Sequence, residues 1–279
     1  MRFTKMQGIG NDYIYFNCLE QNIADPEKLS TALSDRHFGV GGDGIVMILP
    51  SENADFRMRI FNADGSEAKM CGNATRCIGK YVYDRGLTDK TEISLETNSG
   101  IKYLKLFPED GKVKSVLVNM GKYITDPAQI PVTAEGESFI AQKITVLDRE
   151  YTVTCVSMGN PHCVVISDID PDDIPLEKTG RAFESHPLFP DRINTEFIKI
   201  TDGNTAKMRV WERGSGETLA CGTGACAAAS ACVLNGLFRE DVENTIHLRG
   251  GDLFITVKSD RTVLMRGTAE FVFDGEVDI

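Results

Sequence analysis

The 279-residue chain repeats itself at a shift of 150, and that repeat limits the folds open to it more than any other feature. Met58-Arg59-Ile60-Phe61 lies on Met208-Arg209-Val210-Trp211, Glu67 on Glu217, and Cys71-Gly72 on Cys221-Gly222. Five of the fifteen residues from 58 to 72 are identical to their counterparts, and Gly10-Asn11 lies on Gly159-Asn160 at a shift of 149. The matches recur in the same order at a nearly constant offset, which argues against chance. A unit this long is a domain and not a solenoid turn, so the sequence predicts two similarly folded halves.

Short β-branched or alternating runs bounded by turn residues predict strands at 13–18, 45–49, 56–61, 92–96, 101–107 and 113–119. A second series follows at 151–156, 163–167, 196–200, 207–211, 245–248, 253–258 and 263–265. Asp25-Pro26-Glu27 is a helix start, with an aspartate cap and proline at the first helical position, leading to about Asp35. Two further helices are expected from Cys71 to about Asp84 and from Cys221 to about Leu234, each followed by a glycine, Gly86 or Gly236. The fold class expected is α+β: two pseudo-symmetric, β-rich, barrel-like halves, each wrapped around a central helix. The division expected is 1–121 with a returning C-terminal strand, 267–279, and 122–266. Gly121, Pro127 and Pro131 mark the linker.

Thirty Lys and Arg against 41 Asp and Glu give a net charge of -11, which disfavours nucleic acid and anionic membrane partners. Residues 218–238 carry no charge, but their Ala, Cys, Thr and Gly content is too weakly apolar for a lipid-facing span, so a helix enclosed by protein is expected. The first residues lack the apolar stretch of a secretory signal, so a cytoplasmic protein is expected. In that compartment the eight cysteines are thiols, not a disulfide framework. Gly39-Val40-Gly41-Gly42-Asp43-Gly44 fits the dinucleotide fingerprint in letters only. An apolar strand follows it where a helix would be required, so it predicts a turn.

Cys71 and Cys221 stand at helix starts in matched positions of the repeat. A helix N-terminus offers unpaired N–H groups and partial positive charge, which favour a thiolate and hold an anion. Gly72-Asn73 and Gly222-Thr223 are therefore expected to receive a carboxylate. If the halves face each other, one cysteine removes a proton from the carbon beside that carboxylate and the other delivers one to the opposite face. An oxidised Cys71–Cys221 pair would be inactive. Zinc is disfavoured, because the spacings Cys71/Cys77 and Cys221/Cys226 put the sulfurs on different helix faces, and no metal is expected. Cys18, Cys77, Cys155, Cys163, Cys226 and Cys232 are expected to be buried, hydrophobe-like thiols.

Gly10-Asn11-Asp12, Phe61-Asn62-Ala63-Asp64-Gly65, Cys71-Gly72-Asn73-Ala74-Thr75-Arg76-Cys77, Gly159-Asn160-Pro161-His162 and the run from Glu212 to Gly224 together resemble the diaminopimelate epimerase family. The resemblance covers the whole chain in order. It implies a cofactor-independent epimerase that turns LL- into meso-diaminopimelate, a precursor of lysine and peptidoglycan, with Cys71 and Cys221 as the catalytic proton acceptor and donor. It further implies substrate contacts from Asn11, Asn62, Gly72, Asn73, Asn160, Asn194, Glu212, Arg213, Gly222 and Thr223. His162 and Glu212 would tune the cysteine pKa values, and the protein would be a homodimer with Phe273 at its interface. One departure stands out: this chain has Gly44 where some members have glutamine, so that contact is lost or supplied from elsewhere.

Overall fold

The computed structural model describes Met1–Asp278 and divides into two compact units: Met1–Asn119 with the segment from Arg266 onward, and Met120–Met265. The first contains β1 (Arg2–Gly8), β2 (Asn11–Asn17), α1 (Pro26–Ser34), β3 (Gly44–Leu49), β4 (Phe56–Asn62), β5 (Glu67–Ala68), α2 (Gly72–Asp84), β6 (Glu92–Thr97), β7 (Gly100–Glu109) and β8 (Lys112–Lys122). β18 (Glu270–Glu276), at the far end of the chain, joins this unit. The second contains β9 (Gln142–Val146), β10 (Arg149–Ser157), β11 (Pro161–Ile166), α3 (Leu176–Glu184), β12 (Asn194–Asp202), β13 (Thr205–Glu212) and β14 (Gly216–Glu217). α4 (Gly222–Leu234), β15 (Glu243–Leu248), β16 (Gly251–Val257) and β17 (Thr262–Gly267) complete it.

The sheets confirm the repeat in their pairing. In the first unit β18, β1 and β2 run antiparallel, β2 pairs β3 in parallel, β3 pairs β4 antiparallel, β4 pairs β6 in parallel, and β6, β7 and β8 alternate. The second unit repeats this order as β9–β10–β11, β11–β12 parallel, β12–β13, β13–β15 parallel and β15–β16. Each sheet curls around its own helix, α2 packing on β1, β2 and β7, and α4 on β10, β11, β12 and β16. A helix enclosed on all sides must bury no unpaired charge. α4 meets that condition by having no ionisable residue other than cysteine. α2 meets it by pairing: Lys80 Nζ lies 2.9 Å from Asp84 and donates to the Val113 carbonyl at 2.6 Å, and Arg76 Nε donates to the Thr268 carbonyl at 3.1 Å.

All the predicted strands and helices are present. Those not predicted are β1, β5, β9, β14 and α3, together with a single 3-10 turn at Pro171–Asp173. β1 hides because its buried Lys5, paired with Asp12 at 2.6 Å, breaks the apolar alternation. α3 hides behind Pro171 and Pro175 and carries Gly180 in its middle. That glycine is needed for packing: a Cβ there would lie 2.4 Å from Trp211 Cγ. Yet the repeat itself locates this helix, since α1 at 26–34 and α3 at 176–184 are 150 residues apart. Cys18 also departs from expectation, being half-buried, not enclosed, with its thiol pushed up to about 11 by partial burial.

Gly180→Ala forces the added methyl against the indole, and overpacking of this kind costs about 1–3 kcal/mol. Urea unfolding of the variant is expected to show that loss, whereas an unchanged midpoint would mean that α3 can shift freely on β13.

Candidate active site

In each unit the strand before the central helix ends in a tight turn, and the chain then enters the helix through a cysteine. β4 leads through Ala63-Asp64-Gly65-Ser66 and β5 to Cys71, the N-cap of α2. β13 leads through Arg213-Gly214-Ser215 and β14 to Cys221, the N-cap of α4. Both cysteines are extended in backbone conformation, and each carbonyl accepts the first helical bond, from Thr75 N or Ala225 N at 2.9 Å. Gly72, Asn73 and Gly222 in the first turns are buried, and Thr223 is half-buried.

Around Cys71, which is half-buried, the Sγ–H donates to Asn11 Oδ1 at 3.4 Å. Asn11 Nδ2 donates to Asp43 Oδ2 at 2.7 Å, which fixes the amide with its oxygen toward the sulfur. Asp43 is itself tied to Arg36 at 3.0 Å, and Arg36 to Asp12 at 2.8 Å. The glycine-rich segment before β3 thus serves to carry Asp43 to Asn11. Asn62, at the end of β4, donates to Ser66 Oγ at 3.0 Å and pairs in register with Gly44. No side chain fits at Gly44, because a Cβ would lie 1.9 Å from the Phe61 carbonyl oxygen and 2.8 Å from the Tyr13 ring. The Phe61 backbone is the nearer obstacle and the Tyr13 ring the second.

Around Cys221, which is buried, Sγ accepts from Gly224 N at 3.3 Å and lies 3.6 Å from Thr223 Oγ1. Thr223 accepts from Asn160 Nδ2 at 3.3 Å, and Asn160 Oδ1 meets His162 Nε2 at 3.0 Å. His162 therefore reaches the sulfur through Asn160 and Thr223. Its Nδ1 lies 2.7 Å from Glu196 Oε1, and both side chains are wholly buried. Glu196 was not among the sequence-derived candidates, since within the run Asn194-Thr195-Glu196-Phe197 it reads as an ordinary exposed strand position. Glu212, at the end of β13, accepts from the Thr218 hydroxyl. Asn194 is buried, donates to the Pro161 carbonyl at 2.8 Å and accepts from Arg213 N at 2.9 Å. Arg213 is exposed, and its guanidinium donates to the Asp191 carbonyl at 2.9 Å from Nη1, one of its five N–H donors. Phe273 lies on β18, 5.9 Å from the ring of Phe3.

A helix N-terminus favours a thiolate, yet the Cys221 thiol is pushed well above its ordinary value. Burial is the largest cause, and the nearby Glu212 and Glu196 add to it, while Thr223 and the Gly224 N–H oppose them. In this enclosed state Cys221 holds its proton.

The family model for diaminopimelate epimerase matches residues 3–125 and 154–272. A curated diaminopimelate epimerase from Acetivibrio thermocellus is 55% identical over 281 residues, covering 100% of this chain and 99% of its own length. The chain belongs to the diaminopimelate epimerase family. Members of the wider fold look alike at far lower identity. A Bacillus anthracis phenazine biosynthesis protein of the PhzF family superposes with a TM-score of 0.72 at 18% identity, covering 100% of this chain and 99% of that one. A probable proline racemase from Agrobacterium radiobacter K84 gives 0.74 at 14% identity, with 100% and 93% covered. Membership of the family agrees with the two-half, sheet-wrapped-helix architecture and identifies the chain as an epimerase. No helix among the described residues is long and apolar enough to cross a membrane.

The turn that carries Arg213 depends on α3. Glu184 accepts from Trp211 Nε1 at 2.7 Å and from Gly214 N at 3.0 Å. Glu184→Ala leaves the largely buried indole N–H unpaired and is expected to cost about 1–3 kcal/mol. Glu184→Gln, which keeps an acceptor, is expected to cost less; equal losses in urea unfolding would contradict this account.

Proposed function

We propose that the protein converts LL-2,6-diaminopimelate to meso-diaminopimelate without a cofactor, by proton transfer between Cα and two cysteines. The observation that carries this reading is the pair of N-cap cysteines, Cys71 and Cys221, at matched positions of a repeated fold in a chain of this family. In the proposed reaction the two N-caps converge on one substrate. The carboxylate at the reacting centre meets the first-turn amides of Gly72, Asn73, Gly222 and Thr223. One sulfur, as thiolate, takes the α-proton, and the other, as thiol, returns a proton to the opposite face. The buried, protonated Cys221 suits the second role in the resting protein.

Positioned acid and base groups contribute a factor of about 10²–10⁴, roughly 3–5 kcal/mol, short of the roughly 8 kcal/mol or more by which enzymes lower barriers. The remainder is assigned to the helix N-termini, whose N–H groups stabilise the enolate that forms as the proton leaves. Asn11, Asn62, Asn160 and Asn194 orient the amino-acid groups, Arg213 clamps the distal carboxylate, and Glu212 receives the distal ammonium. His162 and Glu212 adjust the cysteines.

A second reading, racemisation of proline or a related amino acid, draws on the fold shared with the proline racemase. The Glu212-Arg213 pair favours a substrate with a second charged end and so the first reading. We further propose a cytoplasmic homodimer that uses exposed Val272 and Phe273 as contacts; eight free thiols fit a reducing compartment.

Incubation with LL-diaminopimelate in D2O without added cofactor is expected to yield meso product labelled at Cα. Cys71→Ala and Cys221→Ala are each expected to slow this at least about a hundredfold while still binding substrate. Full turnover by either variant would refute the two-base scheme, and exchange confined to proline would favour the second reading.

A further inference from the structure

The two halves share their architecture but differ beneath their cysteines. The strand registers define the corresponding positions: β2 pairs Tyr15 with Val46, and β11 pairs Val164 with Glu196. By the same registers Tyr13 corresponds to His162, and by the shift of 150 Ala74 corresponds to Gly224. Tyr13, Val46 and Ala74 in one half thus correspond to His162, Glu196 and Gly224 in the other, three differences that occur together.

The contacts explain why they go together. Glu196 is fully buried, Oε1 is held by His162 Nδ1 at 2.7 Å, and Oε2 has no hydrogen-bond partner among the described residues. A Cβ at Gly224 would lie 2.7 Å from Glu196 Oε1 and 3.2 Å from Cys221 Sγ, so the carboxylate occupies the space that the Ala74 methyl group would fill. Gly224 sits in regular helix, and its backbone conformation does not require glycine; the carboxylate does. An alanine there would push Glu196 off the helix start. The Gly224 N–H is also the donor to Cys221 Sγ.

We propose that Glu196 is a positioning residue of the second half: locked by His162 and seated against Gly224, its carboxylate keeps the proton on Cys221, so that this sulfur enters the reaction as the donor. The proposal rests on the epimerase reading and deepens it. His162 Nε2 lies 3.0 Å from the side-chain Oδ1 of Asn160 and Nδ1 lies 2.7 Å from Glu196 Oε1, so the imidazole is held from both sides. Burial pushes the Glu196 carboxyl up, and the adjacent imidazole opposes that shift. The titratable groups that face it are His162 and Cys163 from β11, Glu212 from β13, and Cys221 from α4, with Cys155 from β10 behind Cys163. Of the two carboxylates acting on Cys221, Glu212 exerts the larger effect and is half-exposed; Glu196 is the one fixed in place by burial. In the first half the position matching Glu196 is Val46, which has no charge to exert.

The test uses alkylation by iodoacetamide, which needs no substrate and so does not depend on the epimerase reading. In Cys71→Ala protein the rate at Cys221, followed by mass spectrometry of its peptide, is measured against pH. With Glu196 intact the midpoint is expected above the value of about 8.5 for a free thiol. A midpoint at or below that value overturns the proposal, and this measurement does not require Glu196 to be altered. Adding Glu196→Gln, which keeps the volume and removes the charge, is expected to lower the midpoint by about one pH unit, or about tenfold in rate below it. Glu196→Asp is expected to stay close to the Cys71→Ala parent. An unmoved midpoint in the glutamine variant overturns the proposal. So does an equal shift at Cys71, measured in Cys221→Ala protein, because that would report general loosening. Turnover of LL-diaminopimelate by the unaltered protein decides the epimerase reading separately.

Discussion

A helix enclosed by a sheet leaves its first-turn N–H groups neither helical partners nor free access to water, and both units are organised around that constraint. The residues that open α2 and α4 are small, Gly72, Asn73 and Ala74 in one and Gly222, Thr223 and Gly224 in the other. The cap is a cysteine in both, a side chain too weak as an acceptor to satisfy the tip by itself. At Cys221 the sulfur takes one N–H, from Gly224, whereas at Cys71 no side-chain cap bond forms. Helix tips capped this weakly suit an anion, which is the role proposed for the substrate carboxylate.

Much of this was legible in the sequence because the repeat fixes which residues correspond. The strand runs, the uncharged helix at 222–234 and both cysteine caps follow from periodicity and turn chemistry. α3 was missed although α1 lay 150 residues before it, because Gly180 and two prolines spoil a local helical pattern whose purpose is to admit the Trp211 ring. Which cysteine keeps its proton is not legible in the sequence for a related reason. The helix tip and its positive potential can be recognised from sequence, but the burial and the two carboxylates that outweigh it come from β12 and β13. Glu196 is one of those carboxylates, and nothing in its neighbours along the chain marks it as enclosed.

Symmetry in such a fold is useful only if it is incomplete. Two identical half-sites would hold the same proton with the same affinity. The exchange of Tyr13, Val46 and Ala74 for His162, Glu196 and Gly224 leaves backbone pairing unchanged while altering charge near one sulfur. Gly44 differs in the opposite sense: the Phe61 carbonyl, with the Tyr13 ring beside it, leaves no room for a side chain such as the matching Asn194 retains.

The return of β18 to β1 has a consequence for synthesis. The second unit is one uninterrupted stretch of chain, Met120–Met265, whereas the first lacks a strand until residues 270–276 have emerged. On the ribosome the later-made unit thus holds every strand of its own sheet before the earlier-made one does. β1, whose outer hydrogen bonds to β18 are the last to form, waits as an unpaired edge for the whole of elongation, a stage at which chaperones would find it exposed.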